Sequence, residues 1–333
     1  MKTYALICSH NGINFINDQV NSILNQTSSI DFLYIFDFNS TDGTREIIVE
    51  ISKNNPKVFA QFYNYALGAK HSFFKAFEYI INISRNEDYI FISDQDDVWV
   101  STKVEILKSE ILKHNDETFL LLFHDVMIAS SNLEVISNSF YTDGQFLIPR
   151  DLTIDRLMLS NCIIGHTMVV SRNLLSMVVE NANADQYLMH DWTIALYASA
   201  LGKIIFIPLK LSFYRQHAKN LIGAHGEQNI KSIIAKSYTF PNSVINQSFT
   251  FHQEMNKLER DLPPISIFTS EKSNLIIFRI LNFPFDSFKF IPISFFAVIR
   301  GGTIRKKLIG FLVLNAGLIN LMRKVWRKRK FIL

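Results

Sequence analysis

The sequence predicts an α/β domain in which a mostly parallel, doubly wound sheet carries helices on both faces, followed by a helical extension and a basic tail. Three observations point there. Short apolar runs alternate with segments of helical period over about residues 1–125, as a sheet covered by helices requires. Clusters of polar residues follow these runs, where an open α/β sheet holds its ligands. The charge is also divided unevenly along the chain.

In order, the strands are expected at 4–8, 32–37, Val58–Tyr63, Tyr89–Ser93 and 120–124. Between the first two, Ile13, Ile16, Val20, Ile23 and Leu24 share one helical face. Ile47, Ile48 and Ile51 mark a second helix, Phe73, Phe74, Phe77 and Ile80 a third, and Val104, Leu107 and Ile111 a fourth. From about 126 to 225 the pattern is mixed: a helix around 155–160, a strand near 167–171, and short strands near 204–207 and 211–215. Residues 226–286 read as helical, with Pro263-Pro264 and Pro284 as breaks.

With 48% hydrophobic and 19% charged residues and 29 Phe in 333, disordered and collagen-like architectures are excluded. Cys8 and Cys162 supply neither a disulfide framework nor a zinc pattern, so the chain reads as cytosolic. The apolar run at 4–8 breaks at Ser9-His10-Asn11-Gly12, which does not read as a secretory signal. No apolar stretch reaches the roughly 18–20 residues of a spanning helix. Residues 287–333 hold eleven Lys or Arg and no Asp or Glu, leaving 23 basic against 30 acidic side chains ahead of them. Long apolar runs, 291–299 and 308–321, interrupt that basic tail and favour an anionic membrane surface over nucleic acid as its partner.

The chemistry concentrates at strand ends. Asp94, Gln95, Asp96 and Asp97 put three carboxylates in four residues, which repel unless a cation or backbone amides compensate; Mg²⁺ or Mn²⁺ with diphosphate oxygens is one answer, an acidic turn before a helix the other. Asp37 closes the second strand, where an acidic side chain can accept a hydrogen bond from a base or ribose, while Ser40, Thr41 and Asp42 suit a helix cap. His190-Asp191-Trp192 opens an apolar helix, so Asp191 is either a first-turn charge or a general base. Arg215 and His217 follow a short strand and could serve a phosphate and a metal, or simply a solvated loop. Neither GxGxxG nor GxxxxGK[ST] occurs.

Together, Cys8-Ser9-His10-Asn11-Gly12, Ser22-Ile23-Leu24-Asn25-Gln26-Thr27, Ser40-Thr41-Asp42-Gly43-Thr44 and Ser93-Asp94-Gln95-Asp96-Asp97-Val98-Trp99 resemble bacterial family 2 glycosyltransferases of the GT-A fold. The rhamnosyltransferase-like members of cell-surface polysaccharide synthesis, such as O-antigen and capsule, are the subgroup resembled. The likeness continues through 161–167, His190-Asp191-Trp192 and 214–223, covering about 1–225. It implies a catalytic domain over 1–225, with a nucleotide-sugar half at about 1–125 and an acceptor half at about 126–225. A helical extension at 226–286 and a membrane-associating tail at 287–333 would follow.

The resemblance further implies a UDP- or dTDP-sugar donor, Mn²⁺ or Mg²⁺ and inversion at the anomeric carbon, and a tail held at a membrane surface would suit a lipid-linked oligosaccharide acceptor. Asp37 would contact the base, Asp94 the ribose or metal-bound water, Asp96 the metal with His217, and Asp191 would be the base. Donor contacts by Ser9, Asn11, Lys70, Gln95 and Arg215 and an acceptor wall of Trp99, His190 and Trp192 complete the set. Phe38 stands where many members carry a second Asp, and Thr193 replaces a common second Trp. Nucleotidyl transfer onto a sugar phosphate, or a catalytically silent membrane-bound subunit, are the competing expectations.

Overall fold

The computed structural model describes residues 1–141, 152, 154–159, 161–217, 243–244 and 246–258. The chain divides into two compact units, Met1–Ala224 and His225–Leu333. In the first, β1 (Thr3–Ser9), β2 (Phe32–Phe38), β3 (Val58–Tyr63) and β4 (Tyr89–Ser93) alternate with α1 (Ile16–Leu24), α2 (Thr44–Asn54) and α3 (Gly68–Ile83). These four strands are all parallel, in the order β3-β2-β1-β4. β1 and β4 are buried almost throughout, as strands covered on both faces should be. Ile16, Val20 and Ile23 of α1 and Val104, Leu107 and Ile111 of α4 (Lys103–Leu112) turn their apolar faces onto this sheet. A fully buried Phe such as Phe36 or Phe91 contributes about 1.5–3 kcal/mol in transfer from water.

Beyond β4 the sheet is mixed. It continues through β8 (Val169–Ser171), β6 (Leu120–Ala129), β9 (Lys203–Arg215) and the two-residue β5 (Val98–Trp99), while β7 (Val135–Ser137) hairpins onto β6. β8 runs antiparallel to both neighbours, β4 and β6, whereas β6 and β9 are parallel. The strand expected at 167–171 begins later because Gly165–Thr167 forms a 3₁₀ turn. Ser171 then ends it, its hydroxyl accepting from Leu174 N–H to cap α6 (Arg172–Asn181).

The two strands expected at 204–207 and 211–215 are one strand, β9. Opposite His124 and Asp125 the register jumps from Ile207 to Lys210, so Pro208 and Leu209 bulge out of the ladder. A proline, having no N–H to donate, belongs in such a bulge. α5 (Ile154–Leu159) and α7 (His190–Leu201) complete this unit.

In the second unit the described residues 246–258 are helical, with Asn256 Nδ2 donating to His252 Nε2 at 2.9 Å. The predicted extension beyond 258, the tail at 287–333 and the loop at 218–223 lie outside the described residues. Among the described residues no helix is long and apolar enough to cross a membrane.

Candidate active site

Parallel pairing sets Ser9 beside Asp37 and Ile7 beside Ser93, so the chain leaves β1, β2 and β4 at one edge of the sheet. Gln95 ties the first loop to the fourth strand. Ser9 Oγ and His10 N–H donate to its Oε1 at 2.9 and 3.0 Å, and its Nε2 donates to the His10 carbonyl at 3.1 Å. Gly12 is needed beneath it, since a Cβ there would fall 2.2 Å from Gln95 Oε1. Asn11, at φ +52°, accepts from Thr41 N–H (2.8 Å) and gives its own N–H to Ser40 Oγ (2.8 Å). Three expected donor residues, Ser9, Asn11 and Gln95, thus form one hydrogen-bonded rim.

Asp37 is expected to reach a base or ribose, but it is fully buried. Ser40 N–H (3.1 Å) and Arg45 Nε (2.6 Å) donate to Oδ1 and the Ser40 hydroxyl donates to Oδ2. Both carboxylate oxygens are engaged inside the fold, so Asp37 braces the end of β2. Ser40 and Thr41 do not cap α2 as expected. Gly43 at φ +97° occupies that position, with Asp42 accepting from Thr44 N–H (3.1 Å) and Ile13 N–H (3.2 Å). Phe38, in place of the second Asp, stacks on Tyr63 with centroids 4.8 Å apart.

The three clustered carboxylates diverge. Asp96 reaches His217 Nε2 at 2.8 Å, and His217 stacks on Phe15 at 4.5 Å. Burial pushes the Asp96 pKa up, and Asp97 and Asp94 add to this while His217 opposes it. Asp97, 1% exposed, accepts from Arg215 N–H (3.0 Å) and lies 2.9 Å from His166 Nδ1, a contact poorly aligned for a hydrogen bond and therefore mainly one between charges. Asp94 lies 3.6 Å from the same nitrogen with its side chain 40% exposed. Burial works against charge on Asp94, but His166, His190 and Lys103 outweigh it and lower its pKa. Burial likewise opposes charge on His166, yet Asp97 and Asp94 prevail and raise its pKa to about 9.

Two donor sets therefore suit a hard divalent ion: Asp94, Asp97 and His166, whose ligand atoms lie within 4.8 Å of one another, and the Asp96–His217 pair. In the first set a protonated His166 already supplies the positive charge. Asp96 and His217, with side chains 19% and 11% exposed, are the more accessible pair.

Asp191 opens α7. Trp192 N–H donates to its Oδ1 at 2.6 Å and Gly165 N–H also favours its charged form, but burial and the nearby charge of Asp94 push its pKa up to about 7. A carboxyl poised there can take a proton at neutral pH. Its neighbours differ from expectation. His190, 3% exposed, stacks on Phe73 at 3.9 Å, and burial lowers its pKa to about 4. Trp192, 5% exposed, donates its indole N–H to the Leu157 carbonyl, and Trp99, 3% exposed, packs near Phe91 and under the Lys103 amine. All three side chains are packed against internal partners in this structure.

Arg215 does not meet the expectation of a phosphate partner either: its guanidinium donates to Asp18 Oδ2 (3.0 Å) and the Ser131 carbonyl (2.8 Å). Lys70 donates to the Tyr187 carbonyl (2.8 Å), joining the start of α3 to the loop before α7. Asp125, another buried carboxylate, on β6, accepts from Val126 N–H (2.8 Å), Phe140 N–H (3.0 Å) and the Ser139 hydroxyl.

The residues that sequence reasoning missed are Lys103, at the start of the next helix, and His166, which reaches the Asp94–Asp97 string from a turn about 70 residues further on. The available signal was weak: a histidine in a largely apolar stretch and a lysine at an ordinary amphipathic helix start.

A model of glycosyl transferase family 2 matches residues 4–174, just over half of the chain. The UDP-Glc:alpha-D-GlcNAc-diphosphoundecaprenol beta-1,3-glucosyltransferase WfgD of Escherichia coli is 31% identical over 169 residues, covering 50% of this chain and 59% of that protein. The dTDP-rhamnosyl transferase RfbG of Shigella flexneri is 26% identical over 230 residues, 66% of this chain and 74% of its own length. In fold, S. aureus TarS 1–349, solved in complex with UDP-GlcNAc, superposes with a TM-score of 0.52 at 12% identity, covering 99% of this chain and 92% of that one. An α/β sheet with an acidic cluster at the end of β4, matched by the family model across that whole half, leads to one assignment: the chain belongs to glycosyl transferase family 2.

Proposed function

We propose that this chain is an inverting glycosyltransferase of bacterial polysaccharide synthesis, moving a sugar from a nucleotide-diphosphate donor to a lipid-linked oligosaccharide. The observation that carries the reading is Asp191. A carboxyl held near neutrality lies within the electrostatic reach of Asp94 but on a different element, as a base must be if it faces an acceptor across the donor. The two relatives support the substrate class, one by its UDP-glucose donor and diphosphoundecaprenol-linked acceptor, the other by its dTDP-rhamnosyl donor. Family membership removes the nucleotidyl-transfer alternative.

In this mechanism Asp191 accepts the proton of the attacking acceptor hydroxyl as the new glycosidic bond forms. Asp96, His217 and Asp94 would hold Mn²⁺ or Mg²⁺, hard oxygen and imidazole donors being suited to either. When bound, that ion would neutralise charge on the leaving nucleoside diphosphate. The Gln95-tied rim of Ser9, His10 and Asn11 would line the donor, its geometry preset by the hydrogen bonds already formed. The tail, with eleven basic and no acidic residues over 287–333, would keep the enzyme peripheral on an anionic leaflet beside its acceptor, at about 1 kcal/mol for each Lys or Arg near the surface.

The test is a melting panel of UDP-, dTDP- and GDP-sugars with Mn²⁺, followed by transfer of the stabilising donor to a prenyl-diphosphate-linked sugar. A donor that binds only the folded protein raises Tm. If no donor raises Tm and neither transfer nor donor hydrolysis occurs, the reading fails, and hydrolysis alone would still exclude a silent subunit. Full-length protein should sediment with anionic liposomes at low salt, and failure to do so would remove the membrane component.

A further inference from the structure

Lys103 breaks three local rules at once. It is fully buried, although an ammonium is costly to remove from water. It is the first residue of α4, where the positive end of the helix dipole disfavours a cation. Its one hydrogen bond among the described residues is to a backbone carbonyl, that of His166 at 3.0 Å, while the Trp99 ring lies 3.9 Å below the amine. Burial pushes its pKa well below the ordinary value, outweighing Asp97 and Asp94, which favour its charged form.

The bonded carbonyl belongs to the Gly165–Thr167 turn, and that turn serves both sides of the proposed reaction. On one side the His166 ring bridges Asp97 (2.9 Å) and Asp94 (3.6 Å). On the other, Gly165 backs the start of α7 so closely that a Cβ would lie 2.8 Å from His190 Nε2 and 3.6 Å from Asp191 Cβ. The Trp99 ring under the amine belongs to β5, five residues after Asp94.

We propose that Lys103 is a positioning residue for sugar transfer: by holding the His166 carbonyl over Trp99, it sets the Asp94–Asp97 group and Asp191 in one fixed relation. This rests on the glycosyltransferase reading above. The amine acts through the turn it is bonded to and is not placed on donor or acceptor. Its loss should therefore reduce kcat more than it raises donor KM, because the Asp96–His217 contact and the Gln95 hydrogen bonds do not involve the turn.

The experiment compares wild type, Lys103→Met and Lys103→Ala at equal folded fraction, with Tm, kcat and donor KM measured for each. Lys103→Met keeps the volume but removes the donor to the buried His166 carbonyl, so some loss of stability is expected and turnover is compared on the folded fraction only. The expected result is a lowered Tm in a protein that still folds, with kcat lower by about 10–100-fold at equal folded fraction, the range typical when a group that orients a site is lost. In Lys103→Ala, propylammonium should restore turnover saturably and propanol should not, a readout that a purely structural lysine would not give. Full turnover in folded Lys103→Met, or absence of propylammonium rescue in folded Lys103→Ala, overturns the proposal. A wild type without transfer or donor hydrolysis would instead overturn the glycosyltransferase reading itself.

Discussion

The raised pKa of Asp191 makes the acid limb of the reaction predictable. With a pKa of about 7, half of the carboxyl is ionised at pH 7, roughly a tenth at pH 6 and roughly a hundredth at pH 5. Turnover at saturating donor should therefore fall about tenfold per pH unit below 7 and level off above 8. Asp191→Asn should lower kcat by about 10²–10⁴ and abolish that limb, with donor affinity nearly intact. Stability should move the other way. The folded pKa lies above the ordinary 3.8, so the native state binds the extra proton between about pH 4 and 7 and loses stability as pH rises through that window. Asp191→Asn should then melt above wild type at pH 8, with the difference closing toward pH 4. The assays are initial-rate profiles from pH 5 to 9 and melting curves of both proteins. An acid limb centred near pH 4, or normal turnover in Asp191→Asn, would refute the assignment.

Asp96→Ala should abolish Mn²⁺-dependent stabilisation by the donor while the metal-free protein melts normally, and transfer that survives both this change and excess chelator would sink the metal assignment. His166, with its pKa raised to about 9, contributes stability that is complete below about pH 6.5 and is lost as pH rises through 9; in chelated protein the Tm penalty of His166→Gln should therefore fade between those values. Gly12→Ala should force Gln95 off its three contacts with Ser9 and His10, costing about 1–3 kcal/mol in denaturant melts and weakening donor binding.

Much of the fold is legible along the chain because β1 to β4 are apolar runs ending in polar clusters and each intervening helix shows one apolar face. That pattern depends only on which faces must be buried. It is silent on strand direction once strands are short: nothing in the three residues of β8 distinguishes parallel from antiparallel, and the Pro208–Leu209 bulge makes one strand look like two. The candidate site divides the same way. The carboxylates of Asp94, Asp96 and Asp97 stand together in sequence, and Asp191 is visible at a helix start.

Which partner each carboxylate takes was decided by tertiary contacts. Asp96 meets a histidine 121 residues away, and the turn that backs Asp191 is held by a lysine 63 residues before His166. Arg215, Trp99, Trp192 and Asp37 are expected from the sequence as ligand contacts, and the folded chain buries all four among internal partners. Residue type and spacing determine which groups can carry charge or accept a proton. Only the packing of distant segments determines which of those groups are desolvated, which are neutralised, and so which one is left near neutrality to act as a base.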